Sequence, residues 1–127
     1  MESKYIHSNL IDNICVCASS HHQRPVAVIV PNHRELKKLS HQLSIQNEEI
    51  HQLCNDSRIH KAILNELNRL ASEAKFEKWE RIAAVHLCAE EWTPQNGFLT
   101  EAMKLKRHMI NNRFEKEIEQ LYEKADR

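Results

Sequence analysis

The sequence predicts an α+β domain, in which a small sheet containing an antiparallel strand pair is flanked by helices. Two runs rich in β-branched residues, 10–18 and 25–30, are separated only by the short polar segment 19–24, and strands joined by so short a connection pair antiparallel. Residues 57–74 and 106–124 instead repeat their apolar side chains every three or four positions, as amphipathic helices do. With 127 residues, the chain is long enough for one core but short for two.

The elements at the start of the chain follow from local patterns. Residues 1–8 favour the end of a helix, and the almost wholly apolar run 25–30 is typical of a strand covered on both faces. Pro31 ends that strand. Asn32 then offers a helix cap, with Glu35 at the capping-box position. The apolar stripe of this helix is Leu36, Leu39 and Leu43.

The middle of the chain is more polar. Residues 44–56 predict a loop with a short helix, and either Asp56 or Ser57 can cap the long helix that follows. A third strand is expected over 81–87. The stripe of the long helix is Ile59, Ile63, Leu67, Leu70 and Ala74.

The C-terminal region combines a turn with a long helix. "EWTPQNG" is a turn segment, and one helix is expected over 106–124. Its stripe is Ile110, Phe114, Ile118 and Leu121. Taken together, the elements predict a core that includes Ile14, Val16, Val28, Val30, Ile63, Leu67, Val85 and Ile118.

Composition excludes several classes of protein. Eighteen basic and eighteen acidic residues give a formal net charge of zero, which argues against a dedicated nucleic-acid binder. No apolar run is long enough to span a bilayer, and the first residues lack the apolar stretch of a secretory signal. The cysteines show no zinc-ligand spacing, and the lack of a secretory signal favours reduced thiols in a cytosolic setting. They are Cys15, Cys17, Cys54 and Cys88.

Two other features carry little weight as sites. The adjacent His21 and His22 lack the accompanying carboxylate pattern of a metal site, so we interpret them as an exposed polar turn. Trp79 and Trp92 are either core anchors or contacts with another domain. No metal site is expected in this chain.

The only glycine, Gly97, precedes a basic cluster in "NGFLTEAMKLKR". Glycine reaches positive φ at little steric cost, so a tight turn at this point would aim the following segment in a fixed direction. One interpretation is that "KLKR" is the solvated first turn of a helix. The pattern alone favours this interpretation, because charge runs are usually solvated faces. Cations at a helix N-terminus oppose the macrodipole, however, and this is a slight indication of a functional role.

The segment "WTPQNGFLTEAMKLKR" closely resembles the C-terminal region of long-chain fatty acyl-CoA synthetases, members of the adenylate-forming (acyl-CoA ligase) superfamily, with the fungal enzymes most similar. The segments "ESKYIHSNLIDNIC", "PVAVIVPNHRELKKL" and "KAILNELNRLASEAKFEKWERIAAVHL" are similar to other parts of the same domain in order and spacing. The resemblance covers nearly the whole chain, and its most specific part surrounds Lys104.

The resemblance implies a mobile lid over a larger adenylation domain. The family converts ATP, fatty acid and CoA into acyl-CoA, AMP and pyrophosphate, and one lid lysine enters the active site for the adenylation step. That lysine corresponds to Lys104, with Gly97 and Thr100 on the turn that carries it. The resemblance also suggests phosphate or CoA contacts for Lys106 and Arg107. Many superfamily members have glycine where this chain has Met103. Long-chain enzymes tolerate a larger residue at this position, so the resemblance points toward the long-chain subfamily.

Other parts of such an enzyme are not expected in residues 1–127, which we interpret as a single domain of the AMP-binding-enzyme C-terminal type. One glycine cannot build a phosphate loop. The resemblance implies that the fatty-acid tunnel, adenine pocket and magnesium ligand belong to the absent adenylation domain, with the hinge upstream of Met1. This chain alone is expected to be inactive and to bind neither ATP, CoA nor magnesium tightly. The resemblance implies fatty acid metabolism at the cytosolic face of the endoplasmic reticulum or lipid droplets. The alternative is a truncated, inactive interaction module that retains the lid fold.

Overall fold

The computed structural model describes residues 5, 8–18, 24–46, 49–77 and 80–125. Their sheet has three strands: β1 (Ile11–Cys17), β2 (Val26–Pro31) and β3 (Val85–Leu87), in the order β1-β2-β3. β1 pairs antiparallel with β2, and β3 pairs parallel with it. The predicted α+β class and the antiparallel pair are both confirmed.

The central strand β2 is buried on both faces, as its continuous apolar run predicts. Because successive strand residues point to opposite sides, β2 contributes to two packing layers. Ala27 and Ile29 join the core beneath the first helices. Val28 and Val30 join a second core on the other face, together with Ile110.

Five helices in the described residues cover these two faces. The first three pack on the layer of Ala27 and Ile29, and the last two close the opposite layer. They are α1 (His33–Gln42), α2 (Ile50–Cys54), α3 (Ser57–Glu73), α4 (Arg107–Arg113) and α5 (Glu115–Ala125).

The predicted helix caps are present. The Asn32 side chain accepts a hydrogen bond from the Glu35 amide at 3.0 Å and so begins α1. The Asp56 carboxylate accepts from the Arg58 amide at 2.8 Å and begins α3. Each cap satisfies a backbone donor that lacks a partner within the helix.

Six of the eight predicted core residues are buried, while Val16 and Ile118 are half-buried. The stripe of α3 is buried at Ile59, Ile63 and Leu67, but in the last turn Ala71 is the buried residue. Leu70 and Ala74 are half-buried.

The predicted stripe of α1 is wrong at its end. Leu36 is buried and Leu39 packs partly against the same core. The helix ends at Gln42, so Leu43 lies beyond the last turn and is 37% exposed.

The third strand is shorter than predicted, since only 85–87 of 81–87 pair as a strand. The Arg24 guanidinium donates to the carbonyls of Arg81 and Ile82 at 3.3 and 3.1 Å. Those carbonyls therefore take a side-chain donor in place of a neighbouring strand, and Ile82 turns into the core with no exposed surface.

The predicted C-terminal helix is interrupted once. It divides into α4 and α5 at Phe114, whose backbone has φ −108° and ψ 22°. Hydrogen bonds from Phe114 to Ile110 and from Ile118 to Phe114 still bridge the joint. The predicted stripe is nevertheless largely confirmed, with Ile110, Phe114 and Leu121 buried.

Several predictions fall on residues outside the described ranges. Of the helix expected over 1–8, only Tyr5 and Ser8 are described, and Tyr5 is helical and fully buried. His21, His22 and Trp79 lie outside the described residues. Trp92 is described and is 3% exposed, which makes it a core anchor of this domain.

Candidate functional site: the hairpin that carries Lys104

The approach to Lys104 begins with a braced turn. Gly97 has φ +88° and its amide donates to the Pro94 carbonyl at 3.3 Å. A Cβ at Gly97 would meet only the Met109 Cε, at an ordinary 3.8 Å, so the backbone conformation and not the available space requires glycine. This explains why the one glycine of the chain stands here.

The side chain of Asn96 holds the turn together. Its Nδ2 donates to the Glu91 carbonyl at 2.8 Å, while its Oδ1 accepts from the Thr93 amide at 3.0 Å. The Thr93 hydroxyl in turn accepts from the Asn96 amide at 3.2 Å. The Asn96 Oδ1 also accepts from the Phe98 amide at 3.4 Å, so this side chain bonds to residues on both sides of the turn. The "NG" pair in the sequence predicts the turn but not these hydrogen bonds.

The Lys104 hairpin, defined as residues 98–106, follows this turn. Leu99 and Leu105 form an antiparallel bridge, and the Lys106 amide donates to the Phe98 carbonyl at 2.9 Å. Leu99 is 1% exposed, whereas residues 101–104 at the tip are all exposed. The hairpin is therefore anchored at its base and open at its tip.

Thr100 closes the tip through three hydrogen bonds. Its amide donates to the Lys104 carbonyl at 2.8 Å, and its carbonyl accepts from the Met103 amide at 2.8 Å. Its hydroxyl accepts from the Lys104 amide at 3.1 Å. Both the amide and the carbonyl of Lys104 are thus held by Thr100, which fixes the backbone from which the lysine side chain departs.

Met103 adopts the left-handed backbone conformation that glycine prefers. Its φ is +64°, and its side chain is 62% exposed. The position immediately before Lys104 is the one at which the resemblance leads us to expect glycine in many superfamily members. The tight hairpin supplies a physical reason for that preference.

The basic residues of the cluster have different surroundings. Lys104 and Lys106 are exposed, and the described residues place no carboxylate within ion-pair distance of either ammonium. Arg107 begins α4, and its guanidinium donates to the Val16 carbonyl at 3.4 Å and lies 3.8 Å from the Cys15 sulfur. Arg107 therefore connects α4 to β1, and the helix-start interpretation of "KLKR" holds only from Arg107 onward.

Two exposed methionines lie in the region of the hairpin. Leu43, Met103 and Met109 are the large apolar side chains with substantial exposure among the described residues. Two of these three belong to this region, at 62% for Met103 and 45% for Met109. Methionine adapts its shape to irregular partners, so these two side chains are suited to contact with another surface.

An aromatic triangle, formed by Trp92, Phe98 and Phe114, lies at the base of the hairpin. The ring centroids are 6.2 Å apart for Trp92–Phe98, 5.9 Å for Phe98–Phe114 and 6.4 Å for Trp92–Phe114. The Arg113 guanidinium lies 5.0 Å from the centroid of the Phe114 ring. Sequence reasoning placed Phe114 in the core but missed its contact with the hairpin.

A cleft of about 200 Å³ borders this triangle and includes His86 and Cys88 in its lining. Burial lowers the pKa of His86 below its ordinary value of 6.5, against a weaker opposing effect of the Glu117 carboxylate. Burial also raises the pKa of the Cys88 thiol to about 12. Such a thiol remains protonated at neutral pH, so the cleft offers no activated nucleophile.

The described residues provide neither a metal centre nor a membrane span. They contain no group of three His, Cys, Asp or Glu side chains that could hold a metal ion. No helix among them is both long and apolar enough to cross a bilayer. The exposed tip of the hairpin presents the Lys104 ammonium group.

Solved structures define the class of this fold. The chain aligns with the A-PCP didomain of carboxylic acid reductase from Segniliparus rugosus, solved with AMP, at TM-score 0.80 and 24% identity, covering 97% of this chain and 15% of that one. The adenylation domain of the carboxylate reductase from Mycobacterium chelonae gives TM-score 0.77 and 22% identity over 95% of this chain and 17% of that one. The fold is that of a domain found in adenylate-forming enzymes.

Sequence relatives specify the family more closely. The chain is 35% identical over 115 residues to Long chain acyl-CoA synthetase 8 of Arabidopsis thaliana, and 35% identical over 127 residues to Long-chain-fatty-acid--CoA ligase 1 of Saccharomyces cerevisiae. These matches cover 91% and 96% of this chain but only 16% and 18% of the relatives' lengths. No protein-family model matches the chain. The chain is a homologue of the long-chain acyl-CoA synthetases and corresponds to a C-terminal part of them.

Proposed function

We propose that this chain is the lid domain of a long-chain fatty acid–CoA ligase and that Lys104 is its adenylation lysine. The observation that carries the proposal is the exposed Lys104 on a hairpin whose tip is closed by Thr100. The 35% identity to long-chain ligases over nearly the whole chain supports the same assignment. In this proposal residues 1–127 act as one domain, and an adenylation domain supplies the remaining parts of the active site.

The proposed reaction requires a positive charge where two anions meet. A carboxylate oxygen of the fatty acid attacks the α-phosphorus of ATP, the new C–O–P linkage forms, and the bond from phosphorus to pyrophosphate breaks. Negative charge is then shared by the phosphoryl oxygens and the attacking oxygen. The Lys104 ammonium stabilises that charge and orients the carboxylate, and it serves neither as nucleophile nor as base.

The hairpin reduces the conformational entropy that Lys104 would lose on entering the active site. A lysine side chain has considerable rotamer freedom, and ordering the backbone as well would add to the free energy lost on entry into the active site. Here both backbone groups of Lys104 are already bonded to Thr100. The exposed side chains of Met103, next to Lys104 in the chain, and Met109, on α4, offer apolar contact area to the adenylation domain.

ATP and CoA enter this proposal as substrates of the complete ligase, after which the acyl group is transferred from AMP to the CoA thiol. Lys106 is exposed and available for a phosphate, whereas Arg107 already bonds to β1. In this proposal the magnesium ligand belongs to the adenylation domain. Membrane association at the endoplasmic reticulum or lipid droplets would reside elsewhere in the complete enzyme.

A chimeric ligase tests the proposal. This chain replaces the homologous C-terminal part of the Saccharomyces cerevisiae ligase 1, and the two half-reactions are measured separately. Lys104→Ala should slow acyl-adenylate formation by about 10²–10³-fold, since a single positioned donor in a closed site contributes roughly 3–4 kcal/mol. Thioester formation from preformed acyl-adenylate should change much less, because the lid then presents another surface.

Lys106→Ala is the matched control, since it removes the same group two residues away on the same hairpin. It should weaken both half-reactions only mildly. Equal slowing of both steps by Lys104→Ala, or loss of adenylation in Lys106→Ala, would refute the assignment. An active parent chimera is the reference point, and a parent without any ligase activity would favour an interaction module that retains only the lid fold.

A further inference from the structure

The tip of the Lys104 hairpin has little contact with the rest of the domain. Residues 101–104 are all exposed, so the direction of the tip depends on how the base is held. At the base, Leu99 is buried and Leu105 packs partly against the same core as Ile110. The question is which side chain fixes this base against the body of the domain.

Phe114 occupies the joint between α4 and α5 and contacts three separate elements. Its ring lies 5.9 Å from Phe98 on the hairpin and 6.4 Å from Trp92, which precedes the braced turn. It also lies 5.6 Å from the His86 ring on β3. The hairpin base, the turn and the sheet therefore meet at one side chain that is only 7% exposed.

We propose that Phe114 is a positioning residue for Lys104: its ring in the aromatic triangle sets the direction of the hairpin relative to the sheet. The inference rests on the proposed function of Lys104. The rings of the triangle are tilted by 33° to 52° to one another. A rigid, planar ring packed between the hairpin, the turn and the sheet leaves the hairpin less room to rotate than a flexible aliphatic side chain would. A displacement of about 1 Å at a catalytic group can lower a rate by about 10²-fold, so small rotations of the base matter at Lys104.

The ordinary alternative is that Phe114 is a core residue like any other. The two interpretations differ in what a loss of the ring does locally. A merely structural Phe114 lowers stability throughout the domain when it is truncated. A positioning Phe114 loosens the hairpin in particular, and a variant that retains an aromatic ring restores it.

The variants are Phe114→Leu, which keeps an apolar side chain but loses the ring, and Phe114→Tyr, which keeps the ring. The matched control is Phe76→Leu on the opposite face of the sheet. Phe76 also has an aromatic partner, since its ring meets Tyr5 edge-on at 5.9 Å, but it packs in the core of the first helices. Amide hydrogen exchange is measured by NMR on the 127-residue chain itself. Exchange of the amides in β2 and α3 reports any change in the global stability of the domain and serves as the reference for the hairpin.

We expect Phe114→Leu to accelerate exchange at the Thr100, Met103 and Lys104 amides by about 3–10-fold more than in β2 and α3, the range that one or two lost ring contacts give. Phe76→Leu should show no such hairpin-specific increase, and Phe114→Tyr should resemble the parent. In the chimeric ligase, Phe114→Leu should slow adenylation about 3–10-fold more than thioester formation.

Uniform acceleration across the domain in Phe114→Leu would overturn the proposal, as would the same hairpin response in Phe76→Leu or no restoration by tyrosine. In an active chimera, the proposal would also be overturned if Phe114→Leu left the ratio of the adenylation rate to the thioester-formation rate the same as in the parent. The exchange measurement does not depend on ligase activity. An inactive parent chimera therefore counts against the proposed function, whereas an unresponsive hairpin counts against the role of Phe114.

Discussion

Replacing Thr100 by valine tests the brace that holds the backbone of Lys104. Valine has nearly the same shape as threonine, so the change removes the hydroxyl acceptor and little else. The lost interaction is the hydrogen bond from the Lys104 amide to the Thr100 Oγ1, 3.1 Å long and exposed. The two backbone hydrogen bonds that Thr100 makes with Lys104 and Met103, both 2.8 Å, remain.

The expected magnitude follows from the exposure of this bond. A neutral hydrogen bond contributes about 0.5–1.5 kcal/mol net, and water competes for the donor at an exposed site, which favours about 0.5–1 kcal/mol. Opening of the hairpin tip should then become about 2–5-fold more populated. The free energy of unfolding of the whole domain should change by less than about 0.5 kcal/mol, as is usual for surface substitutions.

Two measurements check this expectation. Amide exchange at Lys104 should accelerate by about 2–5-fold, the same factor as the opening equilibrium, while urea denaturation should give nearly the parent midpoint. Thr100→Ser is the control, because serine retains the acceptor and should leave Lys104 exchange close to the parent rate. The reasoning fails if valine leaves the Lys104 amide unchanged, or if serine and valine have the same effect.

The remaining predictions concern the left-handed residue and a buried histidine. Met103→Gly should raise the free energy of unfolding by about 0.5 kcal/mol in urea denaturation, since relief of roughly 1–2 kcal/mol of left-handed strain exceeds the extra entropy of glycine; a clear loss of stability would contradict this. Burial lowers the pKa of His86 in the folded state, so below pH 6.5 the unfolded chain binds a proton at His86 more readily than the folded chain does. The contribution of neutral His86 to the free energy of unfolding is therefore present above pH 6.5 and is lost as the pH falls below it. Denaturation of the parent and His86→Gln between pH 7.5 and 5 should show a shallower decline in the variant, and parallel curves would rule out this role.

The amino-acid sequence by itself determined those features that depend on residues close together in the chain. The caps at Asn32 and Asp56 form as predicted because each side chain bonds to a backbone amide within three residues. The buried strand β2 follows from its continuous apolar run. The conformation at Gly97 also follows locally, since its φ of +88° is one that glycine adopts without strain.

The proposed role of Lys104 came from sequence similarity to a known family and not from the periodicity of apolar residues. A pattern of apolar positions cannot distinguish a lysine at the start of a helix from one on a hairpin, because both are exposed. The hairpin is closed by backbone hydrogen bonds between Thr100, Met103 and Lys104, and backbone groups are the same in every sequence. The proposed role of Lys104 is tested by measuring the two half-reactions of the chimeric ligase separately.

The tertiary structure alone decided which distant residues meet. In the segment before β3, the carbonyls of Arg81 and Ile82 accept hydrogen bonds from Arg24, nearly sixty residues earlier in the chain. The contact of Phe114 with Phe98 and Trp92 likewise joins side chains from separate elements. Local propensity acts over a few residues along the chain, whereas these contacts depend on how the elements pack against the sheet, so only the folded arrangement brings the aromatic triangle beneath the hairpin of Lys104.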